Sequence, residues 1–557
     1  LMTTPEQPGH HAGQLEAANQ AEQFAIAHGE KGAQPGLAPR YPAIHGQDLR
    51  GYGWDIDTAF SKPRGMIFPI GSFGHTGFTG TTLWMDPGSD TYVVLLTNAV
   101  HPRGNTPISN LRGEVSTAVA EALHLYPEAE IAAETGSVQS EFPTLTGIDV
   151  LEADHFSELT NLAAQHNGSL RVGILTNQSG VDSHGQRTID ILSTELAKVA
   201  PGTKLTTIFS PEHGIFGKQD TTSFGPETDP TTGLRVTSLY GAHDADRRPS
   251  HEQLKDLDAV VIDLQDAGVR TYTYEAVTGY FLEAAAREQR EFHHTLNIVV
   301  LDRPDPIDGV AAQGPVSDAG HENYTDYGQI PVRHGMTLGE LARFYNGTKH
   351  IDAPLTVVTM QHWMRAEFYD QTGLPWINPS PNLHNLDATI LLPALTLLEA
   401  TNATVGRGTP FPFEMIGAGV PPKNKTTGVQ GPAWFHAEEV ATALNARHIP
   451  GVRFSAFSTT VDDDPIHPYH GQSIEGVRIS VTDRNALDSP ELGVELLSVL
   501  HKLYPEQFRL DRAANLLANA ATLAAIQRGD DPRAIAATWE AGLKSYDAER
   551  EQYLLYR

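Results

Sequence analysis

The sequence of 557 residues contains no cysteine. This absence excludes disulfide bonds, thiolate metal sites and a cysteine nucleophile. It leaves the compartment open, because cysteine-free chains suit both the cytoplasm and the periplasm. The chain is also far longer than a single hydrophobic core supports, and at roughly 150 residues per domain it predicts three or four units.

Positive charge is scarce. The 39 Lys and Arg residues stand against 68 Asp and Glu residues, for a formal net charge of −29, and no dense basic run occurs. Nucleic-acid affinity rests on clustered cations, so we expect no nucleic-acid partner. No run of about 18 apolar residues occurs either, which predicts no membrane span. The first residues, LMTTPEQPGHHAGQ, lack the charged and apolar regions of a signal peptide.

The first 125 residues predict a small sheet followed by a helix. Residues 51–56, 73–86 and 91–98 form three apolar or alternating runs separated by turn signals, which is typical of an antiparallel meander. Residues 108–123 carry apolar side chains at helical spacing. Within the second run, Gly74-His75-Thr76-Gly77 resembles the His/Lys-Thr-Gly strand motif of serine beta-lactamases.

The other catalytic motifs of that family are missing. Neither Ser-x-x-Lys nor Tyr-x-Asn occurs anywhere in the chain, so there is no activated serine nucleophile. We therefore interpret residues 1–125 as an inactive C-terminal remnant of a beta-lactamase-like α+β domain, with any signal peptide lost by truncation. Residues 126–143 are acidic, rich in small residues and without periodicity, which predicts a linker.

From residue 147 onward, strand patterns alternate with helical patterns. Apolar runs occur at residues 171–177, 204–210, 258–264 and 297–303. Such alternation predicts a parallel sheet with helices on both faces. The predicted fold class is α/β, with a Rossmann-like parallel-sheet domain over residues 144–350. A smaller C-terminal α/β domain over residues 351–557 is expected to complete the active-site cleft.

Each predicted strand ends in side chains that ionise or form hydrogen bonds. These are Asn177, then Glu212 and His213, then Asp263, Asp266 and Arg270, then Asp302 and Arg303. Ligands bind beyond the carboxyl ends of strands in open α/β sheets, so four such ends favour a cleft over ordinary loops. The dinucleotide and P-loop fingerprints and the His-Glu-x-x-His spacing are absent, and we predict neither a cofactor nor a metal site.

The chemistry of this cleft points to sugars. Carboxylates near the aromatic residues Tyr272, Tyr274 and Trp376 suit glycoside hydrolysis, in which one acid protonates a leaving oxygen and an anion stabilises the anomeric carbon. No Gly-x-Ser-x-Gly elbow presents a serine nucleophile.

Seven segments in chain order then resemble one family, the exo-β-N-acetylmuramidases of glycoside hydrolase family 171. The segments are GILTNQSGVD, FSPEHGIFG, VIDLQDAGVRTYTY, VLDRPDP, IPVRHGMTLGEL, GLPWINPSPNL and EATNATVGRGTPFPFEMIGA. The resemblance covers nearly three quarters of the chain. It implies a two-part enzyme that releases N-acetylmuramic acid from non-reducing ends of peptidoglycan fragments, with its active site between the two parts.

The resemblance also implies roles for particular residues. Glu212 is the predicted general acid, and Asp263 or Asp266 is the second catalytic group. Participation by the substrate's own acetamido group would make that aspartate an orienting residue instead. The guanidinium of Arg270, Arg303 or Arg407 is expected either to bind the lactyl carboxylate of muramic acid or to form a salt bridge within the protein. The other predicted substrate-binding residues are Asn177, His213, Tyr272, Tyr274, Asp302 and Asn382.

The expected partners are muramyl sugars derived from peptidoglycan, which favours a periplasmic or secreted location without excluding the cytoplasm. Two other functions compete with the glycosidase. One is a non-catalytic protein that binds cell-wall glycan, and the other is a serine esterase or beta-lactamase-type hydrolase, which the missing Ser-x-x-Lys disfavours.

Overall fold

The structure is a computed structural model with two compact units. It describes residues 49–51, 54–57, 61–65, 68, 72–77, 80–87, 89–97, 109–123, 125, 143–199, 201–218, 227–422 and 430–556. The first unit comprises residues 1–142, 364–366 and 557, and the second comprises residues 143–363 and 367–556. All but the last residue of the predicted linker lies outside the described residues.

The first unit contains an antiparallel sheet whose five strands follow chain order. Its elements are β1 (Leu49–Gly51), β2 (Trp54–Asp57), β3 (Phe73–Thr76), β4 (Thr82–Asp86), β5 (Thr91–Leu95) and the helix α1 (Ser109–Ala122). The predicted single run over residues 73–86 is two strands, because Gly80 at φ 108° lets the chain turn back between them. A Cβ on Gly74 would lie 2.3 Å from the Trp84 ring, so this strand position requires glycine.

The second unit begins with alternating strands and helices, as predicted. These are α2 (Gly147–Ala153), α3 (Ser157–Gln165), β6 (Arg171–Thr176), α4 (Thr188–Val199), β7 (Lys204–Ser210), β8 (Glu227–Thr228), β9 (Arg235–Ser238), α5 (Asp244–Arg247), α6 (His251–Leu254), β10 (Ala259–Asp263), α7 (Tyr274–Phe292), β11 (Asn297–Leu301), β12 (Gln313–Val316), β13 (Pro331–Arg333), α8 (Leu338–Thr348) and β14 (Leu355–Val358).

Seven of these strands form one sheet in the order β14-β11-β10-β6-β7-β9-β8, parallel except for the β8–β9 pair. Strands β6, β7 and β9 run outward in one direction, and the chain then returns to place β10 on the other side of β6. The strand order therefore reverses at β6, and ligands bind beyond the strand ends at such a switch point. Strand β14, which the sequence assigned to the C-terminal part, is the edge of this sheet.

Apolar residues on the two faces of the sheet pack against different helices. On one face, Val172 and Ile174 of β6 share a core with α2, α3 and α4. On the other face, Leu175 of β6 shares a core with α7 and α8. The strands are buried on both sides, which is why they read as continuous apolar runs. The predicted Rossmann-like architecture is confirmed.

The C-terminal part is a smaller α/β arrangement. Its elements are α9 (Leu386–Leu395), β15 (Met415–Ala418), α10 (Ala437–Asn445), β16 (Val452–Thr460), β17 (Ser473–Val481), α11 (Ser489–Leu503), α12 (Ala514–Leu517), α13 (Ala520–Arg528), α14 (Pro532–Ala537) and α15 (Glu540–Arg550), with short 3-10 turns at Tyr369–Gln371, Thr396–Leu398, Leu510–Ala513 and Glu551–Tyr553. The first unit contains a further 3-10 turn at Lys62–Arg64. Strands β15, β17 and β16 form an antiparallel sheet. Among the described helices, none is long and apolar enough to cross a membrane.

Candidate active site

A cavity of ≈ 850 Å³ lies beyond the carboxyl ends of β7, β9 and β10. Glu212 and His213 follow β7, and the run from Thr271 to Tyr274 lies between β10 and α7. The C-terminal part contributes further wall residues, among them Ser380, Arg407 and Asn515. The cavity thus lies where the predicted cleft was expected, at the strand ends and against the C-terminal part.

Glu212 lies in this cavity in a defined position. It follows the buried end of β7 directly after Pro211, and its side chain is partly exposed. The hydroxyl of Thr273, the residue that precedes α7, donates a hydrogen bond of 2.8 Å to Glu212 Oε2. The next two residues, His213 and Gly214, adopt left-handed backbone conformations with φ 70° and 72°. The chain therefore turns sharply just after Glu212, and Thr273 fixes one oxygen of its carboxylate in the cavity.

Tyr272 and Tyr274 form the wall beside Glu212, and their rings meet edge to face at 4.7 Å between centroids. Asn177 at the end of β6 donates a hydrogen bond of 2.6 Å to the Tyr274 hydroxyl, which in turn donates to the carbonyl of Pro379 at 3.1 Å. Burial raises the pKa of both tyrosines, and the negative charge of Glu212 contributes to the rise. Both phenols therefore remain neutral at physiological pH.

Several residues predicted to bind substrate or to act on it lie away from the cavity. Arg303 is buried and paired with Asp263, with Nε 2.5 Å from Oδ1, and Asp263 also accepts a hydrogen bond from Thr188. Asp302 accepts hydrogen bonds from Thr337, Gly339 and Tyr556, and its burial raises its pKa to about 6. These three side chains therefore join elements of the fold to one another.

Arg270 is fully buried and also makes structural contacts. Its guanidinium donates to the carbonyls of Pro315, Ile330, Leu516 and Leu517 at 3.0 to 3.2 Å. It thereby ties the loop after β10 to the helix α12 of the C-terminal part, and Leu516 is itself a cavity residue.

Asp266 lies behind the cavity wall. Its Oδ2 accepts a hydrogen bond from the backbone N–H of Gly268 and lies 3.3 Å from His334 Nε2. Its charge contributes to the raised pKa of Tyr272, after the larger effect of burial. Asp266 therefore acts electrostatically on a residue that lines the cavity.

The remaining predicted residues divide between the cavity and its surroundings. Arg407 lines the cavity, but its guanidinium is held by Glu399 at 2.7 Å. Asn382 is buried in the loop that follows Trp376, and Trp376 packs against Tyr369 at 5.1 Å. Neither Asn382 nor Trp376 lines the cavity.

Two groups of cavity residues were not predicted from the sequence. Tyr240, Asp244, Arg247 and Arg248 follow β9, and Tyr280, Glu283, Tyr324 and Tyr327 form the adjoining wall. The one available signal was the Arg247-Arg248 doublet, which is unusual in a chain so poor in cations. The tyrosines lie on helix α7 and on an irregular segment, where no periodic pattern distinguishes them.

One buried carboxyl close to this wall predicts a pH-dependent stability. Glu275 is 1% exposed, its Oε2 accepts a hydrogen bond of 2.7 Å from Tyr345, and burial raises its pKa to about 8. The folded protein then binds more protons than the unfolded chain between about pH 4.5 and 8, so this group's contribution to stability is lost as pH rises through that window. The Glu275→Gln variant cannot titrate there, and we expect a smaller loss of stability in it.

Urea unfolding of the parent and of Glu275→Gln at pH 5 and pH 8 measures this difference. We expect the parent to lose a few kcal/mol more than the variant over this range, at about 1.4 kcal/mol per pKa unit. The exposed Glu291→Gln change is the control, and it should follow the parent. Equal pH dependence in the parent and in Glu275→Gln would contradict the prediction.

Comparison with known proteins agrees with this architecture. The family model described as the N-terminal part of the exo-beta-N-acetylmuramidase NamZ matches residues 172–387, and the model of its C-terminal part matches residues 390–556. A beta-lactamase family model matches residues 11–113, which agrees with the predicted beta-lactamase-like character of the N-terminal part. The change between the two NamZ models falls within α9, between residues 387 and 390, whereas the predicted domain boundary at residue 350 stays a prediction.

Individual relatives cover the same region. The peptidoglycan beta-N-acetylmuramidase NamZ of Bacillus subtilis (strain 168) is 36% identical over 415 residues, which is 74% of this chain and 91% of the relative. Two crystal structures of DUF1343 family proteins from Bacteroides fragilis NCTC 9343 are similar. The first has a TM-score of 0.62 at 29% identity and covers 74% of this chain and 99% of its own, and the second has 0.56 at 27% identity with 75% and 99%. The chain belongs to the NamZ family of exo-β-N-acetylmuramidases, a family of glycosidases.

Proposed function

We propose that this protein is an exo-acting glycosidase that releases N-acetylmuramic acid from the non-reducing ends of peptidoglycan fragments, with Glu212 as the general acid. The observation that carries the proposal is the position of Glu212. Its carboxylate lies in the cavity at the sheet's switch point, held by Thr273 and flanked by Tyr272 and Tyr274. The relative from Bacillus subtilis is named a peptidoglycan beta-N-acetylmuramidase, which supports the same substrate.

In this proposal Glu212 donates a proton to the glycosidic oxygen as the bond to the anomeric carbon breaks. Glu212 Oε2 accepts the hydrogen bond from Thr273, so the proton is donated from the other oxygen, Oε1. The neutral phenols of Tyr272 and Tyr274 offer hydrogen bonds and an apolar surface to the sugar. Water or the substrate's acetamido group attacks from the opposite side of the ring.

We assign Asp266 a supporting role in the proposal, because its Oδ2 accepts a hydrogen bond from Gly268 in the loop that leads to Tyr272 and lies 3.3 Å from His334 Nε2. Asp263 is bound by Arg303, and we assign it to the support of the strand ends. Acetamido participation is consistent with these positions, because neither aspartate is among the residues that line the cavity and could attack the sugar. Peptidoglycan is the expected substrate, so we also propose a periplasmic or secreted location.

Hydrolysis of a chromogenic β-N-acetylmuramide and of the matching N-acetylglucosaminide tests the proposal. We expect release of the chromophore from the muramide and little release from the glucosaminide. Tight binding of N-acetylmuramic acid with no release from either compound would overturn the glycosidase in favour of a glycan-binding protein. Release of acid from an ester or a beta-lactam would instead support the serine hydrolase.

A further inference from the structure

Two of the cations that line the cavity form no ion pair with a carboxylate among the described residues. Arg248 is paired with both Asp244 and Glu283, and Arg407 is paired with Glu399. Among the described residues, neither Arg247 nor Lys349 forms an ion pair within 4 Å, although both line the cavity, and the charge of Arg247 acts on Asp244 only at longer range. An anionic ligand entering a cavity that also contains Glu212 needs such a free cation to offset its charge.

Arg247 is held in place by aromatic rings. Its guanidinium lies 4.2 Å from the centre of the Tyr324 ring and 5.7 Å from that of Tyr240. The side chain is partly buried, and its Nε is shielded from solvent without an acceptor among the described residues. Stacking on two rings restricts the guanidinium plane before any ligand arrives, which reduces the entropy lost when its N–H groups are bound.

The same tyrosine connects Arg247 electrostatically with Glu212. Burial raises the pKa of the Tyr324 hydroxyl well above its ordinary value, the Glu212 carboxylate adds to the rise, and the Arg247 guanidinium opposes it. Both charged groups therefore lie within electrostatic reach of one phenol in the cavity wall. Glu212 and Arg247 line the same cavity, so a sugar bound with its glycosidic oxygen at Glu212 shares that cavity with the Arg247 guanidinium.

We propose that Arg247 binds the lactyl carboxylate of N-acetylmuramic acid and determines the preference for muramic acid over glucosamine. This inference rests on the proposed function, since it names the side chain that recognises the substrate of the proposed glycosidase. The two sugars differ by the lactyl ether, and a planar guanidinium binds a carboxylate through two parallel hydrogen bonds. Lys349 is exposed, and its ammonium cannot donate two parallel hydrogen bonds as a guanidinium does, so it suits this role less well.

The test compares three substrates with four forms of the enzyme. The substrates are a chromogenic β-N-acetylmuramide, its lactyl methyl ester and the matching N-acetylglucosaminide, and the enzymes are the parent, Arg247→Gln, Arg247→Lys and the control Lys349→Gln. We expect the parent to prefer the free acid over the ester by about 10- to 100-fold in kcat/KM, the range for a lost charge-assisted hydrogen bond. In Arg247→Gln this ratio should fall close to one.

Each outcome has a distinct meaning. Arg247→Lys should retain only part of the preference for the free acid over the ester, because an ammonium lacks the two parallel N–H groups of a guanidinium. Lys349→Gln should keep the preference of the parent. If Arg247→Gln is folded and still prefers the free acid as strongly as the parent does, the assignment of Arg247 is wrong. If the parent hydrolyses none of the three substrates, the proposed function itself fails.

Discussion

Replacing Glu212 with glutamine is expected to lower kcat by at least two to four orders of magnitude and to leave the fold intact. An amide cannot donate the proton that the leaving oxygen requires, and loss of a general acid typically costs about 10²- to 10⁴-fold. Glutamine has nearly the same shape, and its carbonyl oxygen still accepts the hydrogen bond from Thr273. The circular dichroism spectrum and the unfolding midpoint of Glu212→Gln should therefore match those of the parent.

The loss of rate expected in Glu212→Gln depends on the leaving group of the substrate. A nitrophenolate departs with little protonation, whereas the hydroxyl of a second sugar does not, so the loss in Glu212→Gln should be much smaller for the nitrophenyl muramide than for a disaccharide. The matched control is Glu322→Gln, which removes an exposed carboxylate from the rim of the same cavity. We expect it to cost less than tenfold. Equal losses on both substrates, or near-normal turnover of the disaccharide by Glu212→Gln, would refute the assignment of the acid.

The second large effect concerns stability. Asp263→Ala is expected to destabilise the fold by about 3–5 kcal/mol, because it leaves the buried guanidinium of Arg303 without its carboxylate. Domains are commonly stable by only about 5–15 kcal/mol, so such a loss removes much of the total. Urea unfolding at 25 °C measures it. The double variant Asp263→Leu with Arg303→Met removes both charges and should recover most of the lost stability.

The double variant also separates support from catalysis. If Asp263 acts only through the strand ends, the repacked protein should be stable and should keep substantial turnover. A protein that is stable but inactive, with substrate binding retained, would show instead that Asp263 acts on the substrate. The parent and Glu212→Gln provide the two reference activities for this comparison.

The sequence predicted the sheet and the position of the cleft because both follow from patterns along the chain. Buried parallel strands read as apolar runs, and polar residues after those runs marked the sheet edge. What the pattern could not predict is the direction of each side chain at that edge. Asp263 ends one strand, Arg303 follows the neighbouring strand, and the two pair with each other, whereas Glu212 lies just before a sharp turn and lines the cavity.

The roles of the arginines depend on contacts between distant parts of the chain, which the sequence pattern does not show. Arg270 was a reasonable candidate for a carboxylate, but its acceptors are backbone carbonyls roughly 45 to 250 positions away, which no local pattern reveals. Arg247 was overlooked because the nearer of its two rings comes from Tyr324, 77 positions further along the chain, although Tyr240 lies only 7 positions before it. The predicted strand over residues 73–86 was wrong in its length for a local reason, the turn at Gly80.

The measurement that tests the central claim most directly uses glycan chains with defined ends. Peptide-free peptidoglycan oligosaccharides carrying N-acetylmuramic acid at the non-reducing end are incubated with the protein, beside the same chains capped there by N-acetylglucosamine. We expect free N-acetylmuramic acid, equimolar with a chain shortened by one sugar, from the first set alone. Internal cleavage of both sets, or N-acetylglucosamine released from the capped chains, would contradict the account.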